Sequence, residues 1–288
     1  MPDCALCGCP HHEGRCPCTC PGYEPPEDDE GRRMNHPYYQ DDQVTLYHGD
    51  ATAVMAEMRD ASVDIVVTSP PYNMGLVPGG NGRGMYRPGA SNKAGRFRNG
   101  YGAHDDAMGQ QDYDNWQRAV LKECWRVAKL AVFYNHRPRV EHGVLRDPLS
   151  NDFGGIPLRQ RIVWNRGTGI DVNLRTFCTR GEYILLFAKP DFKLASHAAS
   201  GMGDVWDLGI EYSVKDHPAP FPVSLPTRCI EATGAMSVLD PFSGSGTTLR
   251  AAANLGVKGI GIELEERYCA ATVRRLSQMA LDFGDAAS

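Results

Sequence analysis

The chain lacks any run approaching the ~18 consecutive apolar residues that a membrane-spanning helix needs. Met1 to Cys20 has no apolar core between charged and small-residue flanks, so it does not read as a secretory signal, and a cytoplasmic protein is expected. No Gly-Lys-Ser/Thr occurs, which excludes Walker-type phosphate binding. There is no internal repeat. Excess basic charge is absent as well: 30 Lys and Arg against 35 Asp and Glu give −5, which argues against a nonspecific nucleic-acid coat. Of 10 cysteines, six fall within the first twenty residues, and such clustering in a long chain disfavours a disulfide scaffold.

What remains is an ordinary globular composition of 288 residues, 42% hydrophobic and 23% charged, enough for one large α/β domain or two small ones. Residues 1–40 are rich in Cys, Pro and acid, including Glu24, Glu27, Asp28, Asp29 and Glu30, and lack hydrophobic periodicity. They read as an appendage and linker before a folded domain over 41–288. Residues 73–111 are dominated by Gly, Asn, Arg and Pro and read as a mobile basic loop, since loops of this length are functional or disordered. Within it Arg83, Arg87, Lys93, Arg96 and Arg98 occur between Gly79 and Ala103 with no acid, so this stretch can contact phosphates whatever the total charge.

Elsewhere short β-branched runs alternate with helical patterns, as in a sheet covered by helices. Strands are expected at Val44–Tyr47, Asp64–Thr68, Leu130–Tyr134, Gln160–Trp164, Tyr183–Ala188, Ser237–Asp240 and Lys258–Ile262. Helices are expected around Ala51–Met58, from Asn115 with Asp112 and Asp114 available to cap, over Gly246–Leu255 with Gly256 as the stop, and from Glu265.

Two segments carry chemistry. Asp240-Pro241-Phe242-Ser243-Gly244-Ser245-Gly246-Thr247-Thr248 is a strand end, a glycine turn and a helix start. The glycines admit close backbone approach, and the helix N-terminus offers unpaired N–H groups. The next strand ends in Glu263, where a carboxylate suits ribose hydroxyls; the plainer alternative is a tight βα turn with a surface acid. In the second segment a buried strand runs into Ser69-Pro70-Pro71-Tyr72-Asn73. Two prolines lock the backbone, so the Ser69 hydroxyl and the Pro70 carbonyl become fixed acceptors at a strand's C-terminal end, with Tyr72 offering a face to a planar ring. The plainer alternatives are a strand-ending turn or a polyproline ligand, and the preceding buried strand disfavours the latter.

Together these motifs resemble the β-class S-adenosylmethionine-dependent amino-methyltransferases of DNA, in which Ser/Asp-Pro-Pro-Tyr precedes the glycine motif. The likeness covers about Val44 to Leu276. It implies a Rossmann-like α/β fold, a mixed, mostly parallel sheet with helices on both faces, in circularly permuted motif order. It further implies a catalytic segment Ser69, Pro70, Pro71 and Tyr72. Cofactor contacts are implied at Asp50, Thr68, His217, Pro218, Phe221, Asp240, Phe242, Gly244, Ser245, Gly246, Thr247 and Glu263. Trp164-Asn165-Arg166 and Tyr183–Lys189 look like the family's later strands. The expected activity is transfer of a methyl group to the exocyclic amine of a flipped base in double-stranded DNA. Ser69 in the first motif position points to cytosine N4, and Asn73 pulls toward adenine N6. Residues 191–216 leave room for only a small target-recognition region, so Gly79–Tyr101 and Arg166–Arg180 are expected to share the reading of DNA. The resemblance admits a homodimer and a cognate restriction endonuclease, and gives no membrane partner.

The N-terminal cysteines Cys4, Cys7, Cys9, Cys16, Cys18 and Cys20, with His11 and His12 among them, suggest structural zinc, because Cys4-x-x-Cys7 has zinc-ligand spacing. The alternative is a redox-sensitive tail. Cys124 and Cys269 fall in helical patterns and read as core. Two further functions compete with DNA methylation. One is methylation of RNA or a protein amine, which Ser69 argues against because Asn is usual there. The other is a catalytically silent zinc-dependent DNA-binding protein, which the intact motifs disfavour.

Overall fold

The computed structural model describes residues 36–73, 104–141, 143–167, 177–210 and 221–284. The six N-terminal cysteines, the five basic loop residues, and His217 and Pro218 lie outside them.

Among the described residues one nine-stranded sheet organises the chain. Its strands, in chain order, are β1 (Tyr39–Gln40), β2 (Val44–His48), β3 (Val63–Thr68), β4 (Ala128–His136), β7 (Leu158–Asn165), β8 (Gly181–Ala188), β9 (Val205–Asp207), β10 (Ser237–Asp240) and β11 (Lys258–Glu263). A separate hairpin pairs β5 (Arg139–Glu141) with β6 (Val144–Arg146). The helices are α1 (Ala51–Glu57), α2 (Gln110–Val127), α3 (His197–Gly201), α4 (Ser224–Thr233), α5 (Thr247–Leu255) and α6 (Glu266–Gly284). The spatial order of the sheet is β1-β2-β11-β10-β3-β4-β8-β7-β9. β2, β11, β10, β3 and β4 are mutually parallel; β8 runs antiparallel to β4 and to β7, and β1 antiparallel to β2. The fold is thus the mixed, mostly parallel sheet expected.

Alternation along β3 shows why both faces are covered. Ile65 and Val67 join one core with Phe133, Val238 and the apolar sides of α4 and α5. Val66 joins another with Val132, Leu239, α1 and α2. A strand buried on both faces reads as a continuous apolar run, which is what residues 65–67 are. Cys124 and Cys269 are fully buried, in agreement with the sequence, and burial pushes both thiols up, Cys269 to about 12.

Three expectations need correction. The helix expected from Asn115 begins at Gln110, so the loop is shorter at its C-terminal end. Its N-cap is Gly109 with no side-chain cap; Asp112 lies in the first turn instead, and Asp114 accepts from Gln110 Nε2 at 2.6 Å. Tyr39 and Gln40, placed in the linker by composition, pair with Leu46 and Thr45 in the sheet. Within 191–216, where no strand is expected, Val205–Asp207 is an edge strand of the main sheet, parallel to β7.

From β3 the chain crosses to β4 on one side, and from β10 to β11 on the other, so β3 and β10 meet where the strand order reverses. Open α/β sheets bind ligands outside the strand ends at such a point. Both motifs begin there.

Candidate active site

The two motifs are braced to each other. Thr68 ends β3 fully buried, and its hydroxyl donates to Asp240 Oδ1 at 2.8 Å. Asp240 also accepts from Phe242 N at 3.1 Å and from the Thr248 hydroxyl at 2.6 Å. Burial raises its carboxyl to about 6 although these three donors pull the other way. The oxygens of Thr68 and Asp240 are therefore committed inside the protein, holding the strand ends and the helix start as one unit.

The glycine turn follows from that brace. Gly244 and Gly246 take positive φ of 52° and 75°. A Cβ on Gly246 would lie 2.5 Å from Thr272 Cγ2, so only glycine fits. Gly246 N–H closes the turn on the Ser243 carbonyl at 2.7 Å. The Thr247 hydroxyl accepts from Arg275 at 3.1 Å. Ser243 and Ser245 keep buried hydroxyls that have no hydrogen-bond partner among the described residues. Buried polar groups of native proteins are overwhelmingly paired, so two orphans at a helix N-terminus mark a place for a polar ligand.

Glu263 stands opposite, 8% exposed. It accepts from Gly244 N and Glu265 N, each at 2.8 Å, and burial lifts its carboxyl to about 7. Gly49 N–H donates to the Glu263 carbonyl at 2.9 Å, which sets Asp50 beside this strand end. Asp50 caps α1, accepting from Ala53 N at 2.9 Å and from the Thr52 hydroxyl. Phe242 lies 5.6 Å from Trp116, ring to ring. Phe221, expected against the cofactor, packs in the core beside α4.

Around Ser69-Pro70-Pro71-Tyr72 the structure gathers side chains that the motif did not announce. Ser69 Oγ lies 2.6 Å from the Tyr72 hydroxyl. Asn135 Nδ2, near the end of β4, shares its two hydrogens among Tyr72 OH at 2.6 Å, Glu182 Oε2 at 3.0 Å and Ser69 Oγ at 3.3 Å. Glu182, at the start of β8, accepts from Tyr72 OH at 3.2 Å and pairs with Arg166 at 3.1 Å. The antiparallel β4–β8 register, which sets Asn135 against Ile184, brings the end of one strand to the start of the other.

Behind Tyr72 lies the His136 ring, 5.1 Å between centroids. Burial lowers His136 to about 4, so it is neutral near pH 7. Its Nδ1 faces the Arg137 carbonyl at 3.1 Å; a carbonyl only accepts, so Nδ1 carries the hydrogen and Nε2 accepts from Gln117 at 2.7 Å. Tyr113 OH donates to the Pro71 carbonyl at 2.8 Å and fixes the second proline. The sequence signal for Asn135, His136 and Glu182 is polar residues at the ends of otherwise apolar strands, which composition alone does not separate from ordinary strand ends.

Among the described residues no group of three or more His, Cys, Asp or Glu could hold a metal, and no helix is long and apolar enough to cross a membrane.

The sequence pattern of the N6/N4 methyltransferase family, described as DNA methylase, matches residues 63–274. The chain is 26% identical to the Type II methyltransferase M.ScaI of Streptomyces caespitosus, over 86% of each chain. It superposes on a DNA modification methylase of Thermus thermophilus, complexed with S-adenosyl-L-methionine, with TM-score 0.55 and 26% identity, over 82% of this chain and 95% of that one. The cytosine-N4-specific PvuII DNA methyltransferase shares the fold, with TM-score 0.63 and 19% identity over 82% and 87% of the two chains. The chain belongs to the N6/N4 DNA methylase family, enzymes that use S-adenosylmethionine to methylate an exocyclic amine of DNA.

Proposed function

We propose that this enzyme methylates N4 of cytosine in double-stranded DNA, with Ser69 and the Pro70 carbonyl as acceptors for the target amine and Tyr72 as the stacking surface. One observation carries the reading. Ser69 and the orphaned hydroxyls of Ser243 and Ser245 stand at the ends of two adjacent strands joined by the Thr68–Asp240 hydrogen bond. Amine and methyl donor thereby meet at one switch point.

The chemistry follows from the amine. Its lone pair is conjugated into the ring and is a poor nucleophile. Hydrogen bonds to two fixed acceptors favour a pyramidal nitrogen and aim the lone pair. Bound S-adenosylmethionine supplies an electrophilic methyl group on a sulfonium. Ser243, Ser245 and the α5 N-terminus fit its polar end, and Glu263 fits ribose hydroxyls. Orienting both partners lowers the entropic barrier; well-aligned intramolecular pairs reach effective molarities of roughly 10⁵ M or more. A base inside a duplex cannot reach this site, so it is flipped out.

Cytosine rests on Ser69 in the first motif position. Asn73 after the motif tyrosine, a residue frequent in the family's adenine enzymes, keeps adenine N6 as the second reading. Arg83, Arg87, Lys93, Arg96 and Arg98 supply cations for the DNA backbone, and the N-terminal cysteines hold structural zinc. The Type II relative supports a modification role beside a restriction endonuclease of matching specificity.

The test is to incubate the full chain with mixed-sequence duplex DNA and methyl-labelled S-adenosylmethionine, digest to nucleosides and identify the labelled species by mass spectrometry. Label on 4-methylcytosine is expected. Label on 6-methyladenine would move the target to adenine, and no label on DNA would overturn the reading.

A further inference from the structure

Ser69, Tyr72, Asn135, Glu182 and Arg166 form a chain of hydrogen bonds across the ends of four neighbouring strands, β3, β4, β8 and β7, and the direction of its hydrogens can be worked out. Glu182 is 5% exposed and paired with Arg166 Nη1 through Oε1, so it stands as a carboxylate. A carboxylate only accepts. The Tyr72 hydroxyl, 3.2 Å from Oε2, therefore donates to it. Asn135 Nδ2, 2.6 Å from the Tyr72 oxygen, donates into that oxygen. Tyr72 has one hydrogen, and Glu182 holds it. The 2.6 Å contact between Ser69 Oγ and Tyr72 OH then requires Ser69 to donate. Its single hydrogen turned inward, Ser69 presents a lone pair to the site.

This polarity is what the reaction needs. The target amine must give its own lone pair to the incoming methyl group, so around it the site should accept N–H and never donate. A serine free to rotate would offer its hydrogen to the amine lone pair part of the time and oppose attack. Resting on the assignment of Ser69 to the target amine, we propose that Glu182, held by Arg166, is a positioning residue that fixes the Ser69 hydroxyl as an acceptor through Tyr72. Replacing Glu182 by glutamine removes the constraint. A carboxamide can donate to Tyr72, whose hydrogen is then free to turn toward Ser69 and push the serine hydrogen outward. Glu182 touches no reacting atom, and the polarity it sets passes through the Tyr72 hydroxyl, since the other bridge to Ser69, Asn135 Nδ2, can only donate.

The experiment is a double-mutant cycle on the full chain with Glu182→Gln, Tyr72→Phe and both together. It reads single-turnover methyl transfer to duplex DNA and, separately, equilibrium binding of S-adenosylmethionine. Glu182→Gln is expected to slow transfer roughly 10- to 100-fold, the range of one charge-assisted hydrogen bond, while cofactor affinity stays within about threefold. In the Tyr72→Phe background the same change should add less than about threefold, because the relay is already cut. An undiminished loss in that background would overturn the proposal, as would a loss confined to cofactor binding. Should Glu182→Gln fail to fold because Arg166 is left unpaired, the charge-neutral Glu182→Gln/Arg166→Gln pair runs the same cycle. A wild-type chain that leaves DNA unlabelled would count against the proposed function and take this proposal with it. A labelling wild type with additive variants would count against Glu182 alone.

Discussion

Thr68 and Asp240 are 172 residues apart, and the 2.8 Å hydrogen bond between their side chains joins the last residue of β3 to the last residue of β10. In the proposed function the target amine and the methyl donor are held by different halves of the chain, so the relative height of these strand ends would set the gap across which the methyl group moves. Thr68→Val keeps the shape and removes the donor. It should cost about 1–3 kcal/mol in urea unfolding, since a buried carboxyl loses one of three donors. Cofactor affinity should fall with it. Thr68→Ser, which restores the hydroxyl, should recover both; a valine variant as stable and as tightly bound as wild type would show that the brace is idle.

The glycine turn gives a comparison in which conformation is held constant and space is varied. Gly246 and Gly256 have similar positive φ, 75° and 68°, at the start and end of α5. A Cβ at 246 meets Thr272 at 2.5 Å, whereas at 256 the nearest atom is Gln43 Nε2 at 3.9 Å. Gly256→Ala should cost only the left-handed backbone term, about 1 kcal/mol. Gly246→Ala should add the clash, roughly 1–3 kcal/mol more, and abolish binding of S-adenosylmethionine. Denaturation midpoints and a cofactor titration on the two variants check this; equal losses would contradict the close packing against Thr272.

Glu263 ties stability to pH. Burial raises its folded carboxyl from 4.5 to about 7, so the folded chain holds that proton more tightly than the unfolded chain. The contribution is complete below the unfolded value and is lost as pH rises through about 7. Asp240, raised to about 6, acts in the same direction. Between pH 5 and pH 8 the wild type should lose about 2 kcal/mol more stability than Glu263→Gln, measured by urea unfolding without cofactor. Parallel pH profiles for the two proteins would show that the carboxyl is not raised.

Much of this architecture is written locally in the chain. Residues 237–263 combine a four-residue strand, a glycine turn, a helix stopped by Gly256 and a second strand, and each signal acts within a few positions. Ile65 and Val66 show burial on both faces because two adjacent apolar side chains must point opposite ways. Glu182 is not legible in the same way. Its partners Asn135 and Tyr72 are 47 and 110 residues away, and only the sheet register brings them together. Val205–Asp207 is too short for a period, and its place beside β7 is set by pairing. The start of α2 escapes the sequence pattern because Gly109 caps it without a side-chain bond, so the acids that look like caps lie inside the helix.

The proposed roles of Ser69 and Tyr72 separate chemistry from cofactor binding. The Ser69 hydroxyl is bonded to Tyr72 and Asn135, on the side of β4 and β8, away from the bonds that hold the glycine turn. Ser69→Ala removes an acceptor for the amine and should reduce transfer by at least roughly 100-fold, as loss of one preorganised group in a site commonly does. Tyr72→Ala removes the stacking surface and the hydroxyl to which Asn135 and Glu182 are both bonded, and should abolish transfer. In each variant the affinity for S-adenosylmethionine should stay within about threefold, because Thr68, Asp240 and Glu263 keep their bonds. Measuring cofactor affinity and single-turnover transfer on the same preparations decides the matter. A folded Tyr72→Ala protein that no longer binds the cofactor would move Tyr72 from the base to the cofactor.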